Sequence, residues 1–357
     1  AMNYALIMAG GAGTRLWPLS REQHSKPALS LYSEQSMFQI AVERLAPLFT
    51  FEQIMVVASK NHIADLSAQV PQIPLENYIV EPEGRGTASA IGLAAIHLAQ
   101  RDPDATMAVL TADHHIGKAD VFREVVQAAL EFAQQEYIVT LGIRPTWPST
   151  DYGYIEQNGL VGVANGYKAY QAQRFVEKPN LNNAQTMLSL GNYSWNSGMF
   201  IWKVSVIMAE IRQQMPELYS NLQRIADLIG KPEYEQELLP IWSAIIKQTI
   251  DYGVMEHAKN VLVIPADMDW MDVGTWMSLK SLLPSDDKAN SIKGDVILRD
   301  SVNTLVMGST RLITGLGLKD LIIVDTPDAL MICDINQAGD VRELVKTLKE
   351  QGRQDLV

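Results

Sequence analysis

The chain has 357 residues, 47% hydrophobic and 20% charged, a composition typical of a globular protein with enough length for about two domains. Its net charge of −12 argues against a nucleic-acid-binding surface as the main function, although one bound nucleotide needs only local positive charge. The single cysteine, Cys333, allows no intramolecular disulfide and fits a reducing cytoplasm, and no apolar stretch reaches the ~18 residues of a membrane span.

The chain opens with a short apolar run at residues 4–8, followed by a glycine-rich turn at residues 10–13 and then Thr14 and Arg15. An apolar run that ends in glycines predicts a buried strand feeding a tight loop. Glycines permit positive φ and let backbone N–H groups approach an anion, and Arg15 and Lys26 would add two positive charges. The stretch therefore predicts a polyphosphate-binding loop at the carboxyl end of the first strand.

Three kinds of glycine loop compete for this stretch. A P-loop needs Gly-Lys-Ser/Thr, but the Gly-Lys pairs at 117–118 and 230–231 precede alanine and proline. A dinucleotide fingerprint needs G-x-G-x-x-G/A, and Leu16 stands at its third position. The third kind, the sugar-nucleotidyltransferase signature G-G-x-G-T-R-L-x-P with a later lysine, is present in full. An ordinary strand and turn would not need the threonine, arginine and lysine.

Helical spacing and β-branched runs alternate over the next hundred residues. They predict helices at 36–49, 88–100 and 121–136, and strands at 54–58, 78–80, 107–110 and 137–142. This alternation predicts a doubly wound α/β sheet, in which ligands bind beyond the carboxyl ends of the strands.

Two loops after these strands carry candidate ligand groups. Segment 81–87 precedes a predicted helix, and it fits a ligand-binding loop and a simple turn with a helix cap equally well. Asp113 follows the strand at 107–110, where a carboxylate is a typical Mg²⁺ ligand, although turn and N-cap aspartates look the same in sequence. His114 and His115 do not predict a zinc site, because adjacent histidines point apart and no third ligand is spaced nearby.

Gly153 and two further short motifs, at residues 175–179 and 195–198, come next in the chain. Glu177 offers oxygens to sugar hydroxyls and Lys178 a charge to a sugar phosphate, unless the two form only an exposed ion pair of little value. Asn196 offers both a donor and an acceptor, and Gly198 permits close approach.

The last third of the chain changes character. Residues 204–249 predict two or three helices and 261–265 a strand, and Asp272 stands either as a metal ligand or as a helix N-cap before Trp276. The polar stretch at 284–289 resembles a linker, which predicts domains at 1–284 and 285–357. In the domain at 285–357, β-branched runs between short turns predict a small β-domain or solenoid. A terminal helix is predicted at 341–349.

In their order along the chain, these motifs closely resemble those of the bacterial mannose-1-phosphate guanylyltransferase (GDP-mannose pyrophosphorylase) family. The opening signature continues as in that family with residues 17–21, and the strings at 175–179, 195–198, 250–256 and 272–276 match as well. One departure lies around Lys26, where Ser-Lys-Pro-Ala-Leu replaces the frequent Pro-Lys-Gln-Phe-Leu. The resemblance implies a Rossmann-like nucleotidyltransferase domain with a mixed sheet, followed by a small left-handed β-helix that can mediate association, and a homodimer is compatible with the apolar C-terminal strands.

The resemblance also implies the residues of the site. Those expected to contact the nucleotide are Leu6, Ala9, Gly10, Gly11, Gly13, Thr14, Arg15, Lys26, Glu81, Pro82, Thr87 and Asp113. Those expected to contact the sugar phosphate are Gly153, Glu177, Lys178, Asn196, Gly198 and Asp272. Asp113 and Asp272 are expected to hold Mg²⁺, and the residues expected to act in catalysis are Arg15, Lys26, Asp113, Lys178 and Asp272.

The implied reaction joins GTP and α-D-mannose 1-phosphate to form GDP-mannose and diphosphate by in-line nucleotidyl transfer. The substrate could instead be another sugar 1-phosphate, such as glucose or a heptose, or another nucleotide such as UTP or ATP. A non-catalytic regulatory subunit is a further alternative, but it would be expected to lose the charged residues that this chain retains. A dehydrogenase fits worst, because the fingerprint breaks at Leu16.

Overall fold

A computed structural model describes residues 2–11 and 13–357, so Ala12 of the glycine-rich turn lies outside the described residues. The strands are β1 (Asn3–Met8), β2 (Ile54–Ser59), β3 (Tyr78–Glu81), β4 (Thr106–Thr111), β5 (His114–Ile116), β6 (Ile138–Ile143), β7 (Tyr154–Ala164), β8 (Tyr167–Val176), β9 (Tyr193–Lys203), β10 (Val261–Ala266), β11 (Trp270–Asp272), β12 (Ser291–Lys293), β13 (Val296–Arg299), β14 (Leu305–Met307), β15 (Ile313–Leu316), β16 (Leu321–Asp325) and β17 (Leu330–Asp334). The helices are α1 (Met37–Glu43), α2 (Lys60–Gln69), α3 (Thr87–Arg101), α4 (Ala119–Ala133), α5 (Leu181–Leu190), α6 (Val204–Gln214), α7 (Pro216–Ala226), α8 (Tyr234–Ser243), α9 (Trp276–Leu282) and α10 (Val341–Glu350).

The first of two compact units comprises Ala1–Ala9, Val42–Ala112 and Ile116–Trp270. It is built on a nine-stranded sheet of order β3-β2-β1-β4-β9-β6-β10-β8-β7. β1 is parallel to β2 and β4, whereas β9 is antiparallel to β4 and β6. The sheet is therefore mixed, and the predicted mixed α/β fold is confirmed.

The central strands of this sheet are almost entirely apolar because both of their faces are buried. Leu6 on β1, Met55 on β2 and Val109 on β4 belong to one core cluster, together with Leu93 of α3 and Trp202 of β9. Leu6 lies beside Val109 in the parallel register, so β1 and β4 end at the same edge of the sheet. The glycine-rich turn leaves from the end of β1, and Asp113 follows the end of β4.

The second compact unit comprises Gly10–Ala41, Asp113–His115 and Met271–Val357. In it β12, β14 and β16 stack in parallel, as do β13 and β15, which forms the coils of a short β-helix. Its core joins Leu16 and Trp17 from the N-terminal segment to Trp276, Leu305 and Val341. The predicted domain division after residue 284 stays a prediction, since this compact unit contains residues from both sides of it.

Several boundaries differ from those expected from the sequence. The helix predicted at 36–49 ends at Glu43, and turns replace its last part. β7 and β8 form a long hairpin that was not predicted, although its turn at Asn165-Gly166, with φ of 47° and 82°, follows a common hairpin pattern. The 250–256 string forms a π-helical turn over Asp251–Met255. None of the described helices is long and apolar enough to cross a bilayer.

Candidate active site

The glycine-rich loop lies in the second unit and folds back against Lys26. Gly11 and Gly13 have φ of 97° and 61°, which L side chains rarely adopt. A Cβ at Gly13 would lie 2.9 Å from the Cβ of Lys26, and the Ser20 hydroxyl donates a hydrogen bond to the Gly13 carbonyl. Glycine is therefore required at position 13 both for the turn and for the close approach of Lys26.

Arg15 follows this loop in the short 3₁₀ turn Thr14–Leu16, in which Leu16 is buried. Its own side chain is exposed, and no hydrogen bond or ion pair to residues 2–11 or 13–357 engages its guanidinium. A guanidinium without a partner among those residues is suited to a phosphate, which it can bind through two parallel hydrogen bonds.

Lys26 joins two carboxylates that are distant in sequence. Its Nζ lies 3.0 Å from Oδ2 of Asp113 and 3.9 Å from Oδ1 of Asp272, and its side chain is only 7% exposed. The two aspartate side chains are 36% and 35% exposed. The structure thus brings together Lys26, Asp113 and Asp272, three residues that the sequence analysis selected separately.

The alternative role of helix cap does not apply to either aspartate. Asp113 lies between β4 and β5, well before α4 begins at Ala119. The cap of α9 is Thr275, whose hydroxyl accepts the Ser278 N–H at 3.2 Å while the Ser278 hydroxyl accepts the Thr275 N–H at 3.0 Å. Because β5 pairs with β11, Asp113 just before β5 comes close to Asp272 at the end of β11.

The electrostatics of this group favour an ionised Asp113. Burial by itself raises the pKa of Asp113, but the charge of Lys26, the proton of His114 when present and the Lys26 hydrogen bond together hold that pKa below its ordinary value. Two carboxylates around one ammonium leave an excess negative charge, which attracts a second cation.

The carboxylates of this group can be compared with the ligands that a divalent cation needs. Across residues 2–11 and 13–357, no three His, Cys, Asp or Glu side chains cluster in a way that could hold a metal ion unaided. Mg²⁺ does not require such a cluster, because it commonly binds one or two carboxylates and completes its shell with substrate phosphates and water. Asp113 and Asp272 fit a hard divalent cation of that kind.

The segment predicted to bind the nucleoside lies in the first unit. The Arg85 N–H donates to Oε1 of Glu81 at 3.3 Å, and burial, which this hydrogen bond only partly offsets, raises the pKa of Glu81. Thr87 begins α3, and its hydroxyl accepts the N–H of Ile250 at 2.8 Å. Leu6 is fully buried in the core of this unit, so its side chain serves packing.

The remaining predicted nucleotide residues complete this description. Ala9 is fully buried and donates its N–H to the carbonyl of Val57 at 3.0 Å, while Pro82 is half-buried in the bend after β3. Gly10 is exposed, and Thr14 is half-buried. Their roles as nucleotide contacts stay predictions.

Five of the six residues predicted for the sugar phosphate lie in the first unit, and Asp272 lies in the second. Gly153, Glu177, Asn196 and Gly198 form a connected set with Asp251, called the sugar set below. The Asn196 side-chain amide donates to Oδ1 of Asp251 at 2.7 Å, its carbonyl oxygen accepts the Gly198 N–H at 3.0 Å, and its backbone N–H donates to Gly153 O at 2.8 Å. A Cβ at Gly153 would lie 2.5 Å from Oε2 of Glu177. Hydrogen bonds therefore join four of these residues through Asn196, and Glu177 lies close against Gly153.

The carboxylates of this set have perturbed pKa values. Burial, and then the neighbouring Asp251 charge, raise the pKa of Glu177. Burial also raises the pKa of Asp251, against the effect of the Asn196 hydrogen bond. Carboxylates whose pKa values are raised by burial and by neighbouring carboxylates are often found at functional sites.

Lys178 is placed differently from Lys26. Its backbone adopts a left-handed φ of 45°, an uncommon conformation for a residue other than glycine. Its Nζ lies 3.8 Å from Oε1 of Glu177, and its side chain is 60% exposed. Lys178 belongs to the first unit, whereas Lys26, Asp113 and Asp272 belong to the second.

Asp251 is the residue that sequence reasoning did not select. The string 250–256 was matched as a whole, but no single position in it stood out. Only the fold places Asp251 against Asn196, 55 residues earlier in the chain. The adjacent Ile250 bonds to Thr87, so this segment contacts both the nucleoside segment and the sugar set.

Comparisons with known proteins identify the family of this chain. Residues 4–288 match the family model described as nucleotidyl transferase, and residues 294–348 match the mannose-phosphate isomerase/GMP-like β-helix domain. A mannose-1-phosphate guanylyltransferase of Escherichia coli (strain K12) is 36% identical over 360 residues, covering 99% of this chain and 74% of that protein. One from Klebsiella pneumoniae is 35% identical, covering 98% and 74%.

A solved structure from Thermus thermophilus, described as a mannose-1-phosphate geranyltransferase, superimposes with a TM-score of 0.87 at 33% identity, covering 97% of this chain and 99% of that one. The similarity in sequence and in fold therefore extends over nearly the whole of this chain. The chain belongs to the mannose-1-phosphate guanylyltransferase family of nucleotidyl transferases.

Proposed function

We propose that this chain makes GDP-mannose and diphosphate from GTP and α-D-mannose 1-phosphate. The observation that carries the proposal is the buried Lys26 between Asp113 and Asp272, next to a glycine loop with an exposed Arg15. These are the charges that a reaction between two polyanions requires. The names of the relatives, which align over almost the whole chain, support the choice of substrates.

In the proposed reaction, a phosphate oxygen of the sugar attacks the α-phosphorus of GTP. A new P–O bond forms as the bond from the α-phosphorus to the bridging oxygen breaks, and diphosphate leaves in line with its electron pair. The attacking oxygen is already an anion, so no general base is needed. The barrier lies in charge repulsion and alignment, which the protein must overcome by neutralisation and positioning.

The second unit would act on the phosphates of the nucleotide. The loop around Gly11 and Gly13, with Arg15 and Lys26, would hold the leaving diphosphate and neutralise its growing charge. Asp113 and Asp272 would hold Mg²⁺, which when bound supplies positive charge to the phosphate oxygens. Loss of one such charge typically removes about 2.7–4 kcal/mol of transition-state stabilisation.

The first unit would recognise the nucleoside and the sugar. Glu81 and the segment up to Thr87 would contact guanine and ribose, since a carboxylate or a carbonyl can accept from the N1–H and amino groups of guanine. Asn196, with Asp251 behind it, and Glu177 would bind the mannose hydroxyls. Lys178 would pair with the phosphate of the sugar.

Location and association are also part of the proposal. The sequence has one cysteine, which suits the reducing cytoplasm. The outward side chains Ile297 and Leu316 on the β-helix are 59% and 71% exposed, and a homodimer would cover such residues. Light scattering over a range of concentrations tests the dimer.

The test of the activity is diphosphate release from each of the four nucleoside triphosphates paired with mannose, glucose or heptose 1-phosphate, with and without Mg²⁺. We expect metal-dependent release with GTP and mannose 1-phosphate. Release with a different pair would refute the proposed substrates but support the proposed class of reaction. Binding of GTP without release from any pair would refute the enzyme and favour a regulatory subunit.

A further inference from the structure

Arg21 connects the phosphate loop to the β-helix within the second unit. Its Nε donates to the Pro18 carbonyl at 2.8 Å, and its two terminal nitrogens donate to the two carboxylate oxygens of Asp328 at 3.0 and 2.7 Å. The Arg21 side chain is 11% exposed and that of Asp328 is 50% exposed. This two-point geometry fixes the orientation of both groups, unlike a single-point surface ion pair.

Asp328 is itself held in place by a tight turn. It lies between β16 and β17, which pair in antiparallel register from Asp325 opposite Leu330. The Thr326 hydroxyl donates to Oδ1 of Asp328 at 2.8 Å, and the Thr326 N–H donates to the Ala329 carbonyl at 2.8 Å. The carboxylate is thus oriented by the hairpin before it receives Arg21.

Arg21 also stands between the two parts of the loop that bear the proposed catalytic charges. Its neighbour Ser20 hydrogen-bonds back to the Gly13 carbonyl. On the other side, Arg21 and His24 exchange backbone hydrogen bonds of 3.0 and 3.1 Å, which closes the turn that leads to Lys26. A shift of Arg21 would therefore move both the glycine turn and the approach to Lys26.

We infer that Arg21 and Asp328 form a positioning pair through which the C-terminal β-helix holds the loop that binds diphosphate. The inference rests on the proposed function, which gives the loop a diphosphate to hold. Neither residue touches the reacting atoms in this scheme. The pair acts through the positions of Gly13, Arg15 and Lys26, since small displacements of binding groups strongly reduce catalysis.

The pair predicts a selective effect of the substitution Asp328→Ala. In the reverse reaction, from GDP-mannose and diphosphate, the KM for diphosphate should rise roughly five- to tenfold. The KM for mannose 1-phosphate in the forward reaction should change by less than about twofold, because every residue predicted for the sugar phosphate except Asp272 belongs to the other unit. Asp328→Glu, which keeps the carboxylate, should recover part of the loss, whereas Arg21→Lys should not, because a lysine cannot donate in the same two-point geometry.

Arg311→Ala is the matched control. Arg311 forms a similar two-nitrogen contact with Asp325 in the same β-helix, at 2.6–3.2 Å, and it makes no hydrogen bond or ion pair with the described residues of the segment 13–26. It should lower the melting temperature without a selective change in the KM for diphosphate. If Arg311→Ala and Asp328→Ala shift all constants alike, the pair is only a structural contact and the inference is refuted.

Calorimetric binding of inorganic diphosphate to the full chain separates this inference from the proposed function. Weaker binding by Asp328→Ala than by the wild type supports the positioning pair even if no nucleotide transfer is detected. Equal binding by the two proteins overturns the pair, whether or not the wild type makes GDP-mannose. The absence of turnover in the wild type refutes only the proposed function.

Discussion

Substitution of Lys26 by methionine tests the central charge of the site. Methionine preserves most of the length and apolar character of the lysine stem while removing the ammonium. Because the side chain is 7% exposed and its Nζ lies 3.0 Å from Asp113 and 3.9 Å from Asp272, the change leaves two facing carboxylates without their shared cation.

The distances set the scale of the effect. Coulomb's law at an effective dielectric constant of about 20 gives about 5.5 kcal/mol at 3.0 Å and about 4.3 kcal/mol at 3.9 Å, and about a quarter of these values in bulk water. Both carboxylates are about one-third exposed, so solvent screening reduces these figures. We expect unfolding to become easier by about 1–3 kcal/mol.

The catalytic effect should be larger than the loss of stability can explain. Removal of a preorganised positive group at a developing charge typically lowers kcat by about 10²–10³-fold. A domain of ordinary stability, about 5–15 kcal/mol, remains folded after a loss of about 1–3 kcal/mol. The two effects can therefore be separated by one unfolding curve and one rate measurement at neutral pH.

The same substitution reverses the pKa shift of Asp113. In the wild type the pKa of Asp113 is lowered. The ion pair with Lys26 therefore stabilises the fold above the unfolded-state pKa of Asp113, and this stabilisation is lost as the pH falls through the folded-state pKa. Without Lys26, burial would raise the Asp113 pKa. The stability difference between wild type and Lys26→Met should thus be large at about pH 7 and shrink below about pH 4.

The assay is steady-state diphosphate release, paired with urea unfolding at both pH values. Lys280→Met is the matched control, because Lys280 is also buried and donates to the Ala289 carbonyl at 2.7 Å, yet lies on α9 outside the site. It should lose stability and keep its activity. Wild-type turnover by a folded Lys26→Met protein would refute the role given to this lysine.

Three further substitutions test other parts of the molecule. Asp251→Asn keeps an acceptor for Asn196 and removes a carboxylate whose pKa is raised by burial. Because a carboxylate with a raised pKa lowers the stability of the fold as the pH rises, urea unfolding should show the variant to be more stable than the wild type at about pH 7 but not below about pH 4. The KM for mannose 1-phosphate should rise. His97→Gln removes a histidine whose pKa is lowered by burial from 6.5 to about 4. Because of this histidine, the wild type should lose about 3 kcal/mol of stability as the pH falls from 6.5 to about 4. An equal loss in the variant would contradict the lowered pKa of His97. Gly153→Ala places a Cβ 2.5 Å from the Glu177 carboxylate and should raise the KM for mannose 1-phosphate about tenfold without changing that for GTP, as steady-state kinetics would show.

The sequence alone was enough to propose that the loop at residues 10–15 binds phosphate. Gly11, Gly13, Arg15 and Lys26 are close together in the chain, and each residue type limits the conformations or charges available at its position. Local patterns of this kind are visible without coordinates. The alternation of strands and helices likewise predicted the α/β sheet, because periodic burial is written directly in the order of apolar residues.

The proximity of the two aspartates is visible only in the fold. From the sequence, Asp272 could be a helix cap instead of a ligand, and the structure gives the cap to Thr275. Asp113 and Asp272 meet because β5 pairs with β11. That pairing joins two segments far apart in the chain, and no local pattern encodes it.

Asp251 and the Arg21–Asp328 pair show the same limit more sharply. Asp251 is one of 41 acidic residues, and only its hydrogen bond from Asn196 distinguishes it. Arg21 and Asp328 are 307 positions apart, and the hairpin turn that brings the aspartate to the arginine is visible only in the structure. The sequence by itself determined which charges and turns this protein has, whereas the tertiary structure decided which of them are neighbours, because long-range pairing depends on the packing of whole strands and helices rather than on nearby residues.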